Sequence, residues 1–339
     1  MFRCLELARL GAGYVAPNPM VGAVLVFEDR IIGEGYHRKY GGPHAEPECI
    51  DSVSANDRAL IGRSTLYVSL EPCAHHGKTP PCADLIIRMG IPRVVIGCRD
   101  PFPEVNGKGI ERLRMAGVEV DTGVLEKECV QLNRRFFTFH LRHRPYIVLK
   151  WAQTANGFIS GTNGRLHISN DITDRLVHKW RAEEAAILVG PRTALLDDPA
   201  LTTRLWPGPN PVRLVIDKTL ELPSSLQLFD RTVKTIVFNR RKHEDVDTHL
   251  QYYQLADDSA LIHQVVTALH HLKIQSVLVE GGARLLQSFI DEGYWDEARV
   301  IVGNMLQPPE GLPAPRLHDA HPVSQEMILS DTIRYYEHD

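Results

Sequence analysis

Short apolar stretches alternate with amphipathic, helix-like stretches along the chain. In the first half the apolar stretches predict strands, and the segments between them have the spacing of helices. The predicted elements are, in order, a helix near 2–11, a strand at 21–27, a helix from about His44, a strand at 64–70, a helix from Cys82 and a strand at 93–98. This order is typical of a layered α/β domain, in which helices cover a sheet.

The same alternation starts again after a basic tract at residues 140–146, where Pro145 stops any helix. We therefore predict a boundary there, between a first domain of residues 1–142 and a second of residues 145–339. In the second domain we predict strands at 145–152, 186–190, 212–217, 235–239, 276–282 and 297–303, with helices at 174–185, 260–272 and 283–293. The second domain is also expected to be α/β.

Composition and charge exclude several classes of protein. The 339 residues are 43% hydrophobic, enough for two cores, and the net charge of −4 gives no general attraction for nucleic acid. No apolar run reaches membrane-spanning length, and the N-terminal stretch is a charged amphipathic helix rather than a signal peptide. We expect a cytoplasmic protein with neither a membrane nor a nucleic-acid partner. The oligomeric state is left open, a homo-oligomer included.

All six cysteines lie in the first 129 residues, so any thiolate chemistry belongs to the first domain. An even count would suit disulfides in a small secreted domain. A chain of this length without a signal peptide instead indicates reduced thiols, some of them on a metal. The cysteines expected to be packing residues are Cys4, Cys49, Cys98 and Cys129.

One imidazole and one thiol stand at the starts of predicted helices, and a second thiol, Cys73, follows a Glu-Pro pair nine residues before Cys82. His44 and Glu46 are one residue apart, so both can face one pocket, and Cys82 opens a helix whose dipole favours a thiolate. His44, Cys73 and Cys82 would supply three zinc ligands and leave the fourth tetrahedral position for water, which is the catalytic arrangement. Glu46 is then the natural proton carrier.

The order of these residues follows the zinc deaminase signature, H-x-E and then P-C-x-x-C, except that the last part is stretched to C-x8-C. The inserted AHHGKTPP carries Lys78 and two histidines, which could meet a phosphate or a base edge. An H-x-E tripeptide also arises by chance, and a free cysteine is usually a packing residue. The joint order favours zinc. His75 and His76 are expected to be exposed loop histidines rather than further ligands.

Four segments carry a wider resemblance: PNPMVGAVLV at 17–26, GGPHAE at 41–46, LYVSLEPCAHHGKTPPC at 66–82 and RVVIGCRDPFPEVNGKG at 93–109. They resemble the deaminase domain of the RibD family of bifunctional riboflavin-biosynthesis enzymes. The resemblance implies a cytidine-deaminase-like three-layer α/β/α fold, with zinc on His44, Cys73 and Cys82 and with Glu46 as catalytic proton shuttle. The implied substrate contacts are Asn18, His37, Lys78 and Asp100. Where the family commonly has DPNP this chain has DPFP, so Phe102 cannot make the amide contact.

In the second half, Gly281 and Gly282 stand between a predicted strand and a predicted helix. Such a turn lets backbone N–H groups approach a phosphate at the helix N-terminus, although glycine there can also serve geometry alone. The absence of a G-x-G-x-x-G motif gives no support for a Rossmann fold.

The segments RPYIVLKWAQTANG at 144–157, DDPALTTR at 197–204 and the EGG turn at 280–282 resemble the reductase domain of the same family. This implies a dihydrofolate-reductase-like α/β domain that uses NADPH. The implied cofactor contacts are Ala152, Thr193, Asp197, Gly281 and Gly282, with Asp197 also catalytic. The implied substrate contacts are Arg181, Leu201, Arg204 and Glu280. Two departures from the family pattern are Asn156, in place of an aspartate, and His167, in place of a tryptophan.

The resemblance implies two reactions on small phosphoribosyl pyrimidines. The first is zinc-dependent hydrolytic deamination of 2,5-diamino-6-(5-phosphoribosylamino)pyrimidin-4-one. The second is NADPH-dependent reduction of the ribosyl group of 5-amino-6-(5-phosphoribosylamino)uracil to ribityl. A nucleic-acid deaminase is the rival enzyme, but the acidic charge, the long inter-cysteine loop and the reductase-like half count against it. A zinc-stabilised binding module would need a closed four-ligand site, and only three ligands can be placed.

Overall fold

The computed structural model describes residues 1–75, 80–162, 166–257 and 260–338. The chain divides into two compact units, Met1–His143 and Arg144–Asp339. Over these described ranges, no helix combines the length and the apolar character needed to cross a membrane.

Within its described residues, the first unit contains one five-stranded sheet and helices on both of its faces. The strands are β1 (Gly22–Phe27), β2 (Arg30–Tyr36), β3 (Thr65–Leu70), β4 (Arg93–Cys98) and β5 (Glu119–Thr122). The helices are α1 (Phe2–Arg9), α2 (Ala45–Asp51), α3 (Cys82–Arg88), α4 (Lys108–Met115), α5 (Glu126–Leu132) and α6 (Arg134–Arg142), with a 3₁₀ helix at Arg58–Arg63. The strand order is β2-β1-β3-β4-β5, with β3, β4 and β5 parallel.

Side chains along β1 show how the layers form, because successive residues of a strand point to opposite faces. Ala23 and Leu25 lie in a core cluster with residues of α2, α3 and α4. Val24 lies in another cluster with Cys4 and Leu7 of α1. Helices thus cover both faces of the sheet, and the predicted α/β/α layering is confirmed.

The cysteines that were expected to be packing residues are all buried, with exposures of at most 1%: Cys4, Cys49, Cys98 and Cys129. All six cysteines are free thiols. The four expected packing residues therefore lie in the core, as small apolar side chains do.

The second unit is built on a larger sheet. Its strands are β6 (Tyr146–Thr154), β7 (Phe158–Gly161), β8 (Ala186–Val189), β9 (Val212–Ile216), β10 (Thr235–Asn239), β11 (Glu244–Asp245), β12 (Leu250–Gln254), β13 (Ser276–Gly281), β14 (Glu297–Gly303), β15 (Gly311–Pro313), β16 (Ala320–Ile328) and β17 (Asp331–His338). Its helices are α7 (Asp171–Glu183), α8 (Pro191–Asp197), α9 (Leu261–His271) and α10 (Ala283–Asp291), with a 3₁₀ helix at Gln227–Phe229.

In the residues described for this unit, ten strands form one sheet in the order β11-β12-β10-β9-β8-β13-β6-β14-β17-β16. The run from β12 to β14 is parallel, while β11, β16 and β17 pair antiparallel with their neighbours. Because the central strands are parallel, their carboxyl ends meet at one edge, and ligands of open α/β sheets bind at that edge. We refer to it below as the carboxyl edge.

Candidate active sites

The three predicted zinc ligands of the first unit lie together. His44 immediately precedes α2, Cys82 is the first residue of α3, and Cys73 lies three residues beyond the end of β3. The Nδ1 atom of His44 is 3.6 Å from Sγ of Cys73 and 3.3 Å from Sγ of Cys82. One ligand atom from each residue falls within 4.8 Å of the other two. The fold therefore converges on one cluster from three separate elements.

These separations fit a zinc ion. With usual Zn–S and Zn–N bond lengths and a tetrahedral angle, a sulfur and a nitrogen on one zinc are about 3.6 Å apart. A cysteine that binds zinc must also be a thiolate. The mutual hydrogen bond of the two thiol groups lowers the pKa of Cys73 to about 4 and, together with burial, raises the pKa of Cys82. The pair thus holds one thiolate readily, and binding of zinc would release the second proton. The donor set and its spacing therefore suit the metal.

Glu46 lies on the first turn of α2 and is 3% exposed. Burial raises the pKa of its carboxyl group, and the neighbouring charges that also affect this pKa come from His44 and Cys73. Glu46 is therefore part of the same buried cluster without belonging to the set of three candidate ligands. This placement suits a group that exchanges protons beside a metal.

Two of the predicted substrate contacts, Asn18 and His37, adjoin the cluster and are hydrogen-bonded to each other. Nδ2 of Asn18 is 3.0 Å from Nε2 of His37, and Nδ1 of His37 is 2.7 Å from the carbonyl oxygen of Pro43. A proton on Nδ1 satisfies both contacts, since Nε2 then accepts from the amide. The ring of His37 meets the ring of His44 edge-on at 5.5 Å. Burial lowers the pKa of His37, which keeps the ring neutral.

Asp100 is 7% exposed and follows the end of β4. Burial raises the pKa of its carboxyl group to about 7, with Glu71 and Cys73 among the nearby charges. Its Oδ1 accepts a hydrogen bond of 2.8 Å from the backbone N–H of Phe102. Asp100 thus lies on the Cys73 side of the cluster. The fourth predicted contact, Lys78, lies outside the described residues.

The expectation of an exposed His75 is wrong, and His76 lies outside the described residues. His75 is half-buried, with its ring centroid 6.1 Å from that of Phe102, and Phe102 also packs on His140 at 5.1 Å. Phe102, which replaces the family's asparagine, therefore forms an aromatic group with these two histidines in place of an amide contact. Burial against this apolar ring explains why His75 is not solvent-exposed.

In the second unit, Gly281 ends β13 and Gly282 precedes α10 with a φ of 84°, a conformation that favours glycine. A Cβ atom on Gly281 would lie 3.0 Å from Cγ2 of Thr193, and one on Gly282 would lie 3.3 Å from Oγ1 of the same threonine. Asp197 stands four residues after Thr193 on α8, hence on the same helix face. Three predicted cofactor contacts thus meet at the carboxyl edge, and Asp197 shares the helix face of Thr193.

Arg181 and Glu280, two predicted substrate contacts, are bonded to each other. Nε and Nη2 of Arg181 each donate to a carboxylate oxygen of Glu280 at 2.7 Å. Nζ of Lys150 is 3.8 Å from the same carboxylate. Burial by itself raises the pKa of Glu280, but the charges of Arg181 and Lys150 outweigh it and lower the pKa to about 2. Nε and Nη2 of Arg181 are thus already bound to Glu280.

The remaining predicted contacts of this unit differ in accessibility. Arg204 is exposed, and its backbone N–H donates to Nδ1 of His178 at 2.9 Å. Leu201 is 2% exposed and has a φ of 49°, so its side chain belongs to the core and only its backbone can face a ligand. Ala152 is half-buried on β6, the central strand beside β13.

Lys150 and His178 were not predicted as part of this site. Lys150 is the only charged residue of an otherwise largely apolar strand, β6. His178 stands on the buried face of α7, where burial first, and then Arg181, lower its pKa to about 4. The sequence signal that could have identified both residues is a polar side chain at a position where the strand or the helix face is otherwise apolar.

The two departures from the family pattern have visible roles. Asn156 accepts from Oγ1 of Thr154 at 2.6 Å and donates to the carbonyl oxygen of Pro308 at 2.7 Å, so it holds the turn after β6. His167 lies 3.8 Å from a carboxylate oxygen of Asp174 on α7.

The folds and the first cluster define a zinc deaminase domain followed by a second α/β enzyme domain. Residues 1–98 match the model of the cytidine and deoxycytidylate deaminase zinc-binding region, and residues 145–307 match the model of the RibD C-terminal domain.

The riboflavin biosynthesis protein RibD of Aquifex aeolicus is 42% identical over 303 residues, which are 88% of this chain and 84% of that protein. RibD of Escherichia coli is 35% identical over 327 residues, 90% of this chain and 87% of that protein. A crystal structure from Thermotoga maritima, of a diaminohydroxyphosphoribosylaminopyrimidine deaminase/5-amino-6-(5-phosphoribosylamino)uracil reductase, is similar with a TM-score of 0.91. It shares 38% sequence identity, over 100% of this chain and 97% of that one.

The chain therefore belongs to the RibD family. It is a bifunctional deaminase and reductase of riboflavin biosynthesis, with zinc and NADPH as its cofactors. The family resemblance, the two α/β folds and the enzyme class predicted from the sequence are confirmed.

Proposed function

We propose that the first unit deaminates 2,5-diamino-6-(5-phosphoribosylamino)pyrimidin-4-one, and that the second reduces the ribosyl group of the resulting 5-amino-6-(5-phosphoribosylamino)uracil to ribityl with NADPH. The observation that carries the first half is the cluster of His44, Cys73 and Cys82, with Glu46 buried beside it. The second half is supported by the match of residues 145–307 and by the glycine turn at the carboxyl edge.

In the deamination, one water replaces the amino group of the ring carbon and one ammonia leaves. His44, Cys73 and Cys82 are the residues that would hold zinc, which when bound activates water for attack at neutral pH. Glu46 accepts a proton from the attacking water and returns it to the departing nitrogen, because it lies in the cluster without being a ligand. General bases must lie within hydrogen-bond reach of the proton that they remove.

Asn18, His37, Asp100 and Lys78 are proposed to hold the substrate of the first unit. The hydrogen bond between Asn18 and His37 fixes both side chains, so the remaining amide oxygen of Asn18 is presented in a defined direction. Asp100 is a buried acceptor on the other side of the cluster, next to Cys73. A pyrimidine that offers ring N–H and amino groups is bound by acceptors of this kind.

In the second unit, Thr193, Asp197, Gly281, Gly282 and Ala152 are proposed to bind NADPH. The turn at Gly282 exposes backbone N–H groups at the start of α10, where the helix dipole favours a phosphate. Asp197 carries the further, catalytic assignment that the family resemblance implies, and it shares the helix face of Thr193. The part of the protein in hydride transfer is to align the nicotinamide with the sugar carbon and to exclude water.

The sugar phosphate is proposed to meet Arg204, whose guanidinium group belongs to an exposed residue. Arg181 and Glu280 contribute as a pair, because each already satisfies the charge of the other. Leu201 contributes through its backbone, since its side chain is in the core. Arg204 is thus assigned to recognition of the phosphate, and the buried pair of Arg181 and Glu280 to orientation of the substrate.

A two-stage assay tests the proposal. The diaminopyrimidine phosphate is supplied to zinc-loaded enzyme, ammonia is measured, and NADPH is then added and its absorbance followed. We expect one ammonia per substrate before NADPH is present, followed by one NADPH oxidised per deaminated product. Ammonia release without NADPH oxidation would reject the second half, and NADPH oxidation without prior ammonia release would reject the order.

We also propose a cytoplasmic location and no nucleic-acid partner, on the strength of the free cysteines and the net charge of −4. Formation of a homo-oligomer stays a prediction, for which size-exclusion chromatography with light scattering is the direct measurement.

A further inference from the structure

Glu71 lies two residues before the zinc ligand Cys73 and has only 4% of its surface exposed. Its carboxylate accepts four backbone hydrogen bonds. Oε1 accepts from the N–H groups of Gly109 at 3.0 Å and Ile110 at 3.2 Å. Oε2 accepts from those of Gly107 at 2.9 Å and Asp100 at 3.2 Å. Both oxygens are therefore committed to the backbone of one neighbouring segment.

Three of these donors belong to the start of α4: Gly107 is the residue before the helix, and Gly109 and Ile110 are in its first turn. The carboxylate of Glu71 therefore caps α4 from another element, with its negative charge at the positive end of the helix dipole. The fourth donor, the N–H of Asp100, belongs to the turn that presents the Asp100 side chain. One side chain thus joins the Cys73 segment to both α4 and the Asp100 turn.

The contact between α4 and the Cys73 segment is close. A Cβ atom on Gly109 would lie 1.9 Å from the carbonyl oxygen of Pro72, so only glycine allows this approach. On the next turn of α4, Nη1 of Arg112 donates to the carbonyl oxygen of Ala74 at 3.1 Å. Nε of Arg112 also lies 2.6 Å from the carboxylate of Asp84, two residues after Cys82. Helix α4 thus contacts the segments that carry both thiol ligands.

We propose that Glu71 is a positioning residue for the deamination: its carboxylate fixes the Asp100 turn relative to Cys73, and so sets where the substrate is held beside the metal cluster. The inference rests on the proposed role of Asp100 as a substrate contact. The four donors require an acceptor with two oxygens. In Glu71→Gln one oxygen becomes an NH₂ group, which is itself a donor and cannot accept from the N–H groups that it faces.

The test compares Glu71→Gln with Glu111→Gln in the full, zinc-loaded chain. Glu111 is an exposed residue on the first turn of the same helix, so its replacement removes the same charge without touching the four bonds. We expect Glu71→Gln to lower kcat/KM for deamination by about 10- to 100-fold, the usual range for residues that orient a metal site from outside its ligand shell. Zinc content should stay near one equivalent, and NADPH oxidation with deaminated substrate should stay within about twofold of the parent. Glu111→Gln should match the parent in all three.

A double-mutant cycle with Asp100→Asn separates positioning from a general structural effect. If Glu71 acts through Asp100, kcat/KM of the double variant lies within about twofold of the less active single variant. The two single variants are then also expected to divide their loss between KM and kcat in the same way. Multiplicative losses would overturn the inference, as would zinc loss in proportion to activity or a Glu71→Gln enzyme within about twofold of the parent.

Failure of the proposed function is distinguishable from failure of this inference. An Asp100→Asn enzyme of parental efficiency rejects Asp100 as a substrate contact, whereas multiplicative losses reject only the link to Glu71. Should the first unit of Glu71→Gln not fold, as shown by circular dichroism and thermal unfolding compared with Glu111→Gln, Glu71→Asp replaces it in the cycle. That variant keeps the charge but shortens the reach, and the same non-additivity with Asp100→Asn is expected. Additive losses there would equally overturn the inference.

Discussion

The two units place their candidate sites by different physical means. In the first, four side chains from three separate elements, three candidate ligands and Glu46, converge in one cluster. In the second, the site consists largely of backbone at the carboxyl edge, with one buried ion pair between Arg181 and Glu280 beside it. The first site depends on the identity of a few atoms, whereas the second depends on where strands end.

This difference explains why the first site is easier to recognise from the sequence than the second. A metal site needs an imidazole and two thiolates at fixed spacing, and few other residues can replace them. A cofactor site formed by backbone N–H groups requires mainly that side chains be absent. Glycine meets this requirement, but it also occurs in proteins for several other reasons, so its presence is a weak signal. We therefore expect single substitutions to be far more damaging in the first site.

The largest effect is expected from Cys82→Ser, because a hydroxyl is a poor zinc ligand. Zinc should fall from about one equivalent per chain to a small fraction of that, and deamination should become undetectable. Metal analysis of the purified protein and ammonia release are the two measurements. Circular dichroism is the control for folding of the first unit, and NADPH oxidation with deaminated substrate is the control for the second. A variant that keeps its full zinc content would show that the ligand set is wrong.

Glu46→Gln is expected to come next, with deamination reduced by about 10²- to 10⁴-fold. The amide keeps the size of the side chain but cannot accept and return a proton, so zinc content should be unchanged. Glu48→Gln is the matched control, since Glu48 lies on the same helix and pairs with Arg38 at the surface. Loss of zinc in Glu46→Gln would make Glu46 a ligand, and activity within about threefold of the parent would remove it as the proton shuttle.

A third prediction concerns the buried ion pair of the second unit. The folded-state pKa of Glu280, about 2, is below the unfolded value, so ionised Glu280 stabilises the fold above about pH 4.3 and this contribution is lost as the pH falls towards 2. The shift corresponds to about 3 kcal/mol. Glu280→Gln should therefore lower the free energy of unfolding near pH 7 by about 3–5 kcal/mol, because it leaves Arg181 buried without its partner charge.

Unfolding monitored by circular dichroism between pH 3 and pH 7 checks this prediction, with the difference between parent and variant shrinking as the pH falls. Asp257→Asn is the control, because Asp257 pairs with Arg240 at the surface, where 79% of its side chain is exposed. Such exposed pairs contribute little. A difference between Glu280→Gln and the parent that does not change with pH would show that the carboxylate charge is not what stabilises the unit.

The sequence predicted the elements whose side chains are buried and periodic. Strand β8 is wholly buried and appears as a continuous apolar run, and β3 and β14 are largely buried and contain short apolar stretches. The β16–β17 hairpin was not predicted, since nearly all of β16 is exposed and its apolar and polar residues do not alternate regularly. Helix α4 was also missed, because its apolar positions are few and its N-terminal cap comes from Glu71, a distant residue that no local pattern reveals.

Within the sites, the sequence predicted residue types and their grouping but not their pairing. The zinc cluster was predicted from the order and spacing of an H-x-E motif and two cysteines along the chain. That Arg181 is occupied by Glu280 depends on α7 and β13 lying side by side, and that Leu201 turns its side chain into the core depends on its positive φ. Such facts arise from tertiary packing, which single-sequence patterns do not contain.

The smallest expected effect tests how far the carboxyl edge extends. Lys218 follows β9, two strands from β13 in the parallel sheet, so it lies at the same edge as Thr193 and Gly281. We predict that its ammonium group contacts the 2′-phosphate of NADPH. Since the residue is exposed, the ion pair is weak, and Lys218→Ala should lower the preference for NADPH over NADH by only about two- to fivefold.

Lys234→Ala, which removes an exposed lysine at the opposite edge, before β10, should leave the preference unchanged. Steady-state KM values for both cofactors decide the matter, because an unchanged ratio in Lys218→Ala would leave Lys218 as a solvated surface lysine and confine the cofactor site to the strands around β13.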